Sequence, residues 1–243
     1  MNAAPDPLEA IHVVVPVHDE EELLPRCLHA LRGAVALLHD AAPLVRVRTV
    51  LVLDGCTDGS ADVARASGFA TLTTPGVGVG EARRAGVDAV GRADPGRDTA
   101  RVWLACTDGD SEVPEHWLVR HLELADGGAD VVVGTVRPRL EELSADRADA
   151  WLASHRPGVA NGHVHGANLG IRRSTYESAG GFAALREHED VVLVDRARTT
   201  GARVVADAAC EVVTSARLVG RTPGGYARHL REDLVPPGSV RSA

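Results

Sequence analysis

The sequence predicts an α/β fold with a mostly parallel central sheet, on three observations. Short, near-continuous apolar runs alternate with segments of helical period through the first half of the 243 residues. Runs of that kind mark strands buried on both faces, as parallel strands are. Turn and capping residues punctuate the alternation at Asp58-Gly-Ser60, Gly76–Gly80 and Gly127-Gly128.

Ile11–Val17 is the first strand. Asp19 to Leu38 follows as a helix, acidic at its start and apolar at Leu23, Leu24, Cys27, Leu28, Leu31, Val35 and Leu38. Pro25 is tolerated there only because it falls near the helix start. Val47–Leu53 is the second strand, and Asp58-Gly-Ser60 supplies turn and N-cap chemistry for a short helix ending near Gly68. Phe69–Thr73 is a third, weaker strand, Val79–Arg92 a helix, and Arg101–Cys106 the fourth strand. Pro114 opens a helix that runs through Ala125, and Asp130–Val136 is the fifth strand.

The second half changes character. Leu140–Ser154 reads as a polar amphipathic helix, and Gly162–Arg172 is rich in His and Gly with a short strand at Ala167–Ile171. Ser174 caps a brief helix stopped by Gly180-Gly181, Glu187–Thr200 is a helix with an acidic start, and Val204–Val205 and Cys210–Val213 are short strands. Val235-Pro-Pro-Gly238 cannot continue a helix, so residues 235–243 are expected to be a flexible tail. One domain of two halves, 1–112 and 113–234, is the expected organisation.

Composition narrows the function. Hydrophobic residues make up 44% and charged residues 25%, as in ordinary soluble domains. Aromatics are only 3%, which argues against the stacking platforms of single-stranded nucleic-acid binders. The net charge of −8 disfavours a general polyanion binder. A nucleotide-bearing ligand would need its charge neutralised locally, by a metal or by placed arginines. Cys27, Cys56, Cys106 and Cys210 are scattered without a Cys-x-x-Cys pair and read as buried free thiols. Met1–Glu9 has no basic-then-apolar leader pattern, and no apolar run approaches the ~20 residues of a membrane span. The expected compartment is the reducing cytoplasm.

Ligands of parallel sheets collect beyond the strands' carboxyl ends, where four segments converge. The most informative is Asp108-Gly109-Asp110, directly after the fourth strand. Two hard carboxylates two residues apart, joined by a flexible glycine, suit a divalent cation that keeps positions open for phosphate oxygens. An acidic turn is the plain alternative. Pro16-Val17-His18-Asp19-Glu20 ends the first strand, where Asp19 or Glu20 can accept hydrogen bonds from a nucleoside or simply complement a helix dipole. Asp54 ends the second strand and can meet a base edge, while Asp58 caps the helix. Gly76-Val-Gly-Val-Gly80 precedes Arg83, so backbone and helix N-terminus can approach an anion.

In order along the chain, these stretches resemble the family 2 glycosyltransferases, nucleotide-sugar-dependent enzymes of the GT-A fold. The resemblance rests on Val13–Glu21, Leu51–Ser60, Gly80–Gly86 and Thr107–Ser111. It continues through His165-Gly-Ala-Asn-Leu-Gly170, Gly180-Gly-Phe182 and Glu189-Asp190. It implies a single GT-A-like domain, with a Rossmann-like nucleotide-binding half and a smaller acceptor-binding half. The donor would be a nucleoside-diphosphate sugar, with Pro16, Val17, Glu20, Asp54 and Arg83 near the nucleoside. Asp108 and Asp110, with Gly109 between them, would serve Mg²⁺ or Mn²⁺ and the diphosphate. Leu53 stands where many members carry an acidic residue, which leaves the choice of nucleotide open.

Transfer also needs a group to take the acceptor's proton, and Asp190 matches the second acid of the family's Glu-Asp motif, with Glu189 next in line. Arg217 and Arg221 lie among glycines and a proline, which suits either a lid over a diphosphate or a solvent-exposed basic loop. His163 and His165 can ligate a metal, though a hydrogen-bonding role fits their spacing better. One base candidate and no evident nucleophile imply an inverting reaction. The acceptor is expected to be small or carrier-linked, with neither nucleic acid nor a transmembrane segment involved. The rival readings are a sugar nucleotidyltransferase and a non-catalytic nucleotide-sugar-binding protein. The first usually wants a basic, Gly-rich loop after the first strand, where this chain is acidic.

Overall fold

The computed structural model describes residues 6–156, 158–220 and 224–234. Its elements in chain order begin with β1 (Ala10–Val17), α1 (Leu24–Ala41), β2 (Arg46–Asp54), α2 (Ser60–Ala66), β3 (Ala70–Thr74), α3 (Val79–Ala93) and β4 (Val102–Cys106). Then come α4 (Trp117–Asp126), β5 (Val131–Pro138), α5 (Ala145–Ser154), β6 (Leu169–Arg172), α6 (Arg173–Ser178), α7 (Glu189–Thr199), β7 (Val204–Thr214) and α8 (Tyr226–Arg228). The strands form one seven-stranded sheet in the order β3-β2-β1-β4-β6-β5-β7. Four of the six neighbouring pairs run parallel, and β6 is antiparallel to both β4 and β5.

Alternation along β1 explains its unbroken apolar run. Ile11, Val13, Val15 and Val17 pack with α1 and α4, through Leu24, Leu31 and Trp117. Val14 points the other way, to α3 and α7, with Val87, Leu193 and Val194. Gly86 lets α3 lie close to the sheet, since a Cβ there would meet Val14 Cγ1 at 2.5 Å. Both halves of the chain share this sheet, and the larger core cluster contains Ile11 from one and Val132 and Cys210 from the other.

Several expected boundaries move, for physical reasons. The first helix begins at Leu24 rather than Asp19, because Asp19 takes a left-handed conformation (φ 52°) that a helix cannot include. The stretch 140–154 divides into a 3-10 turn at Leu140–Glu142 and α5. The two short strands expected at 204–205 and 210–213 are one strand, β7, whose register against β5 shifts between Gly134 and Val136. A bulge of this kind interrupts the alternation by which a strand is read from sequence. All four cysteines are free, and Cys27, Cys106 and Cys210 are buried. No helix among the described residues is long and apolar enough to cross a membrane. The expected flexible tail, 235–243, lies outside the described residues.

Candidate functional site

Three strands finish at one edge of the sheet, and the cleft forms there. β1 and β4 pair in parallel with Val14 opposite Cys106, so Asp108–Asp110 emerges beside Pro16 and Val17. The Gly109 N–H donates to the Pro16 carbonyl at 3.2 Å, and a Cβ on Gly109 would sit 3.2 Å from Val17 Cγ2. Close approach of two chain segments therefore requires the glycine between the acids. β7 reaches the same place from the far side of the sheet: Glu112 N–H donates to the Val213 carbonyl at 2.7 Å, and Ser111 Oγ to Thr214 Oγ1 at 2.9 Å. That pairing delivers Arg217 to Asp110.

The cleft has a volume of about 1100 Å³. Its lining includes Pro16, Val17, Glu20, Asp54, Arg83 and Asp108, with Gly109, Asp110, Glu189, Asp190 and Arg217 completing the expected set. His163 and His165 line it too. Arg221 lies outside the described residues.

Arg83 binds the site together. Its side chain is only 3% exposed, and it donates through Nη2 to Asp108 Oδ1 at 2.5 Å and through Nη1 to Glu189 Oε1. Gly166 makes room for the guanidinium, since a Cβ there would lie 2.4 Å from Arg83 Nη2. Burial works against the charge on Arg83, but Asp108 and Glu189 together hold its pKa above the ordinary value. Burial also pushes the Asp108 and Glu189 carboxyls up, against the pull of Arg83. Arg83 joins the strand-end acid to the helix that carries Asp190, and it lines the cleft.

Glu189 and Asp190 divide their tasks accordingly. Glu189 is committed to Arg83, whereas the half-buried Asp190 accepts the Gly166 N–H at Oδ2 (2.6 Å) and the Val191 N–H at Oδ1 (2.8 Å). Those bonds fix its orientation in the cleft wall.

Asp54 departs from expectation. Its Oδ1 accepts from Thr74 Oγ1 (2.7 Å), Gly76 N–H (3.0 Å) and Val77 N–H (2.8 Å), and its Oδ2 from Gly78 N–H (2.8 Å). The glycine loop expected to greet a ligand's anion is filled by this side chain of the protein itself. Asp54 anchors the loop, with both carboxylate oxygens engaged, and lines the cleft. Asp19 is likewise a tie, accepting from Thr57 N–H at 2.6 Å and Asp58 N–H at 3.2 Å, contacts that draw its pKa below the ordinary value.

At the acid pair, Asp110 Oδ2 accepts from Arg217 Nη2 at 2.7 Å, and the same nitrogen lies 2.6 Å from Glu20 Oε2. Among the described residues no group of three or more His, Cys, Asp or Glu side chains is placed to hold a metal. Two hard carboxylates remain, and Asp108 Oδ2 has no hydrogen-bond partner among the described residues. This donor set fits a hard divalent ion that draws its other ligands from substrate and water.

Two features escaped the sequence reading. Asn168 is buried, donates through Nδ2 to the Thr135 (2.8 Å) and Cys210 (2.6 Å) carbonyls, and accepts from Trp117 Nε1 (2.9 Å), so it locks β5, β7 and α4 together. Trp151, His155, Tyr226 and His229 gather in the cleft from distant segments. The i,i+4 spacing of Trp151 and His155 was the available signal; nothing local marked Tyr226 as their neighbour.

The chain is 30% identical over 202 residues to an undecaprenyl-phosphate 4-deoxy-4-formamido-L-arabinose transferase of Aeromonas hydrophila, covering 82% of this chain and 56% of that protein. The protein of the same name from Pseudomonas syringae is 27% identical over 236 residues, covering 95% and 58%. This chain thus spans little more than half the length of these two relatives. In fold it is similar to a mannosyltransferase of Pyrobaculum calidifontis solved with GDP-Man and Mn²⁺ (TM-score 0.61, 19% identity, 89% of this chain and 58% of that one). It is also similar to residues 1–349 of S. aureus TarS (TM-score 0.59, 14% identity, 85% and 60%). The family model described as glycosyl transferase family 2 matches residues 12–179, and the chain belongs to that family.

Proposed function

We propose that this protein transfers a glycosyl group from a nucleoside-diphosphate sugar to an acceptor hydroxyl, with inversion. The observation that carries this reading is the convergence of Asp108, Asp110 and Asp190 on one cleft, tied across it by Arg83 and Glu189. A cleft of about 1100 Å³ exceeds the common range for one small ligand, roughly 300–1,000 Å³, and suits two substrates. Asp108 and Asp110 would hold Mg²⁺ or Mn²⁺, which when bound supplies Lewis-acid stabilisation to a departing diphosphate. Pro16, Val17 and Glu20 flank the donor's place. Asp190, oriented by Gly166, takes the acceptor's proton as its oxygen bonds to the anomeric carbon, and the nucleoside diphosphate leaves with the electrons of the broken bond. Arg217, held between Glu20 and Asp110, is placed to meet the diphosphate. The halves 1–112 and 113–234 serve donor and acceptor respectively. A cytoplasmic location belongs to the same proposal, supported by the four free cysteines.

A second reading concerns the acceptor. The relatives' names specify undecaprenyl phosphate, and a lipid carrier phosphate of that kind would attack through a phosphate oxygen in place of a hydroxyl.

A thermal-shift series with UDP-, GDP- and dTDP-sugars, each with and without Mn²⁺, tests the donor half. One sugar nucleotide should raise Tm in a Mn²⁺-dependent way, the stabilisation at a hundredfold excess over Kd being ~2.7 kcal/mol. Asp110→Ala should abolish the metal-dependent part. No shift with any sugar nucleotide, and no Mn²⁺-dependent donor hydrolysis, would overturn the reading. Retention of the donor's anomeric configuration in the product, by NMR, would overturn inversion.

A further inference from the structure

We propose that a continuous run of six aromatic and imidazole rings in the cleft's second half seats a neutral sugar ring of the acceptor. This deepens the glycosyl-transfer reading and rests on it. The rings follow one another in space as Trp151, His155, His229, Tyr226, His165 and His163. Trp151 and His155 stack at 4.2 Å with 7° between planes. His155 meets His229 at 6.1 Å, His229 meets Tyr226 at 5.8 Å, Tyr226 stands edge-on to His165 at 5.9 Å, and His165 meets His163 at 6.3 Å. Trp151 is buried against Leu230 and Leu234 and donates from Nε1 to the Tyr226 hydroxyl at 3.0 Å, which anchors the run from beneath. With seven aromatic residues in the whole chain, placing two of them here leaves the rest of the cleft without such surface.

Position ties this wall to the reaction. His165 directly precedes Gly166, whose N–H holds Asp190, so the run begins where the proton is taken. Its chemistry then selects the ligand. Burial keeps His165 at about 4 and lowers His155, so both rings are neutral at pH 7. His155 Nδ1 lies 3.0 Å from the Trp151 carbonyl and 2.9 Å from Ser154 Oγ, and its Nε2 has no hydrogen-bond partner among the described residues. Among the described residues, neither ring of His163 or His165 has a hydrogen-bond partner. Flat apolar faces with accepting edges match a pyranose, which offers C–H faces and hydroxyl donors. The acids that act on the wall are Asp190 on His165, Glu211 on His155 and Asp233, which pairs with His229 Nδ1 at 3.0 Å, and they do not favour a phosphate.

Saturation-transfer NMR on the full chain decides it, using methyl glycosides of glucose, galactose, mannose and N-acetylglucosamine, with geranyl phosphate and inorganic phosphate as the competing probes. At least one methyl glycoside should bind, and His155→Ala and the exposed His163→Ala should each weaken it about three- to tenfold. Nucleotide-plus-Mn²⁺ shifts should stay at wild-type values in both variants, and the melting curve of His163→Ala should stay at the wild-type value. Binding of geranyl phosphate with no glycoside bound would overturn the proposal, as would glycoside binding unchanged in the double variant. Glycoside binding at this wall in a protein that takes no sugar nucleotide would refute glycosyl transfer while leaving the saccharide site standing.

Discussion

Arg83 and Glu189 form a buried ion pair across 106 residues of chain, and the same guanidinium holds Asp108. The pair connects the strand-end acid Asp108 to the first turn of α7. Removing the cation strands two acids, one of them fully buried. Arg83→Met is therefore expected to cost about 3–5 kcal/mol in urea unfolding, the range for breaking a buried pair from one side. Adding Glu189→Met should recover more than half of that loss, because Asp108, with a third of its side chain exposed, can be solvated. A double variant no more stable than Arg83→Met would show that the pair does not act as a unit.

Asp190 and Glu189 should separate in kinetics. Asp190→Asn is expected to lower kcat by about 10²- to 10⁴-fold with donor KM and melting temperature close to wild type, as for loss of a general base. Glu189→Gln should show its effect first in stability. Equal kcat losses from both, with both proteins folded, would remove the assignment of Asp190 as base.

Arg217 occupies Asp110 and Glu20 together, at 2.7 and 2.6 Å. A divalent ion arriving at Asp110 must displace it. Arg217→Ala should bind Mn²⁺ alone about tenfold more tightly by calorimetry, a gain of ~1.4 kcal/mol within the range for a charged hydrogen bond. In the presence of the nucleoside diphosphate the same variant should bind more weakly. Unchanged Mn²⁺ affinity would show that the arginine and the ion do not compete.

Stability should depend on pH through buried histidines. His12, His121 and His165 are each lowered by burial from 6.5 to about 4. Between these values the unfolded chain binds protons that the folded chain refuses. Stability from these groups is therefore intact above 6.5 and falls as pH drops toward 4, by up to about 1.4 kcal/mol per pH unit for each. Urea midpoints near pH 7 and near pH 5 measure it. His121→Gln, which keeps an acceptor for the Trp103 Nε1 donor, should flatten the slope by one proton.

The strand ends were readable because burial on both faces leaves a local mark. Ile11–Val17 and Arg101–Cys106 show it, and parallel pairing then puts Pro16 beside Asp108. β6 was harder, since only four residues form it and its antiparallel insertion depends on Trp103 and Val131 as neighbours. The histidine-rich stretch was visible, but not what it faces.

By itself the sequence determined the α/β alternation, the family, and which polar residues would gather beyond the strands, because periodicity and turn chemistry act over a few residues. Only the tertiary structure decided what each of them does there. A carboxylate can serve a ligand, a loop or an arginine, and the choice falls to whichever donors the fold brings within 3 Å. That is why Asp54 holds the glycine loop, Glu189 holds Arg83, and Asp190 is held by backbone N–H groups in the cleft wall.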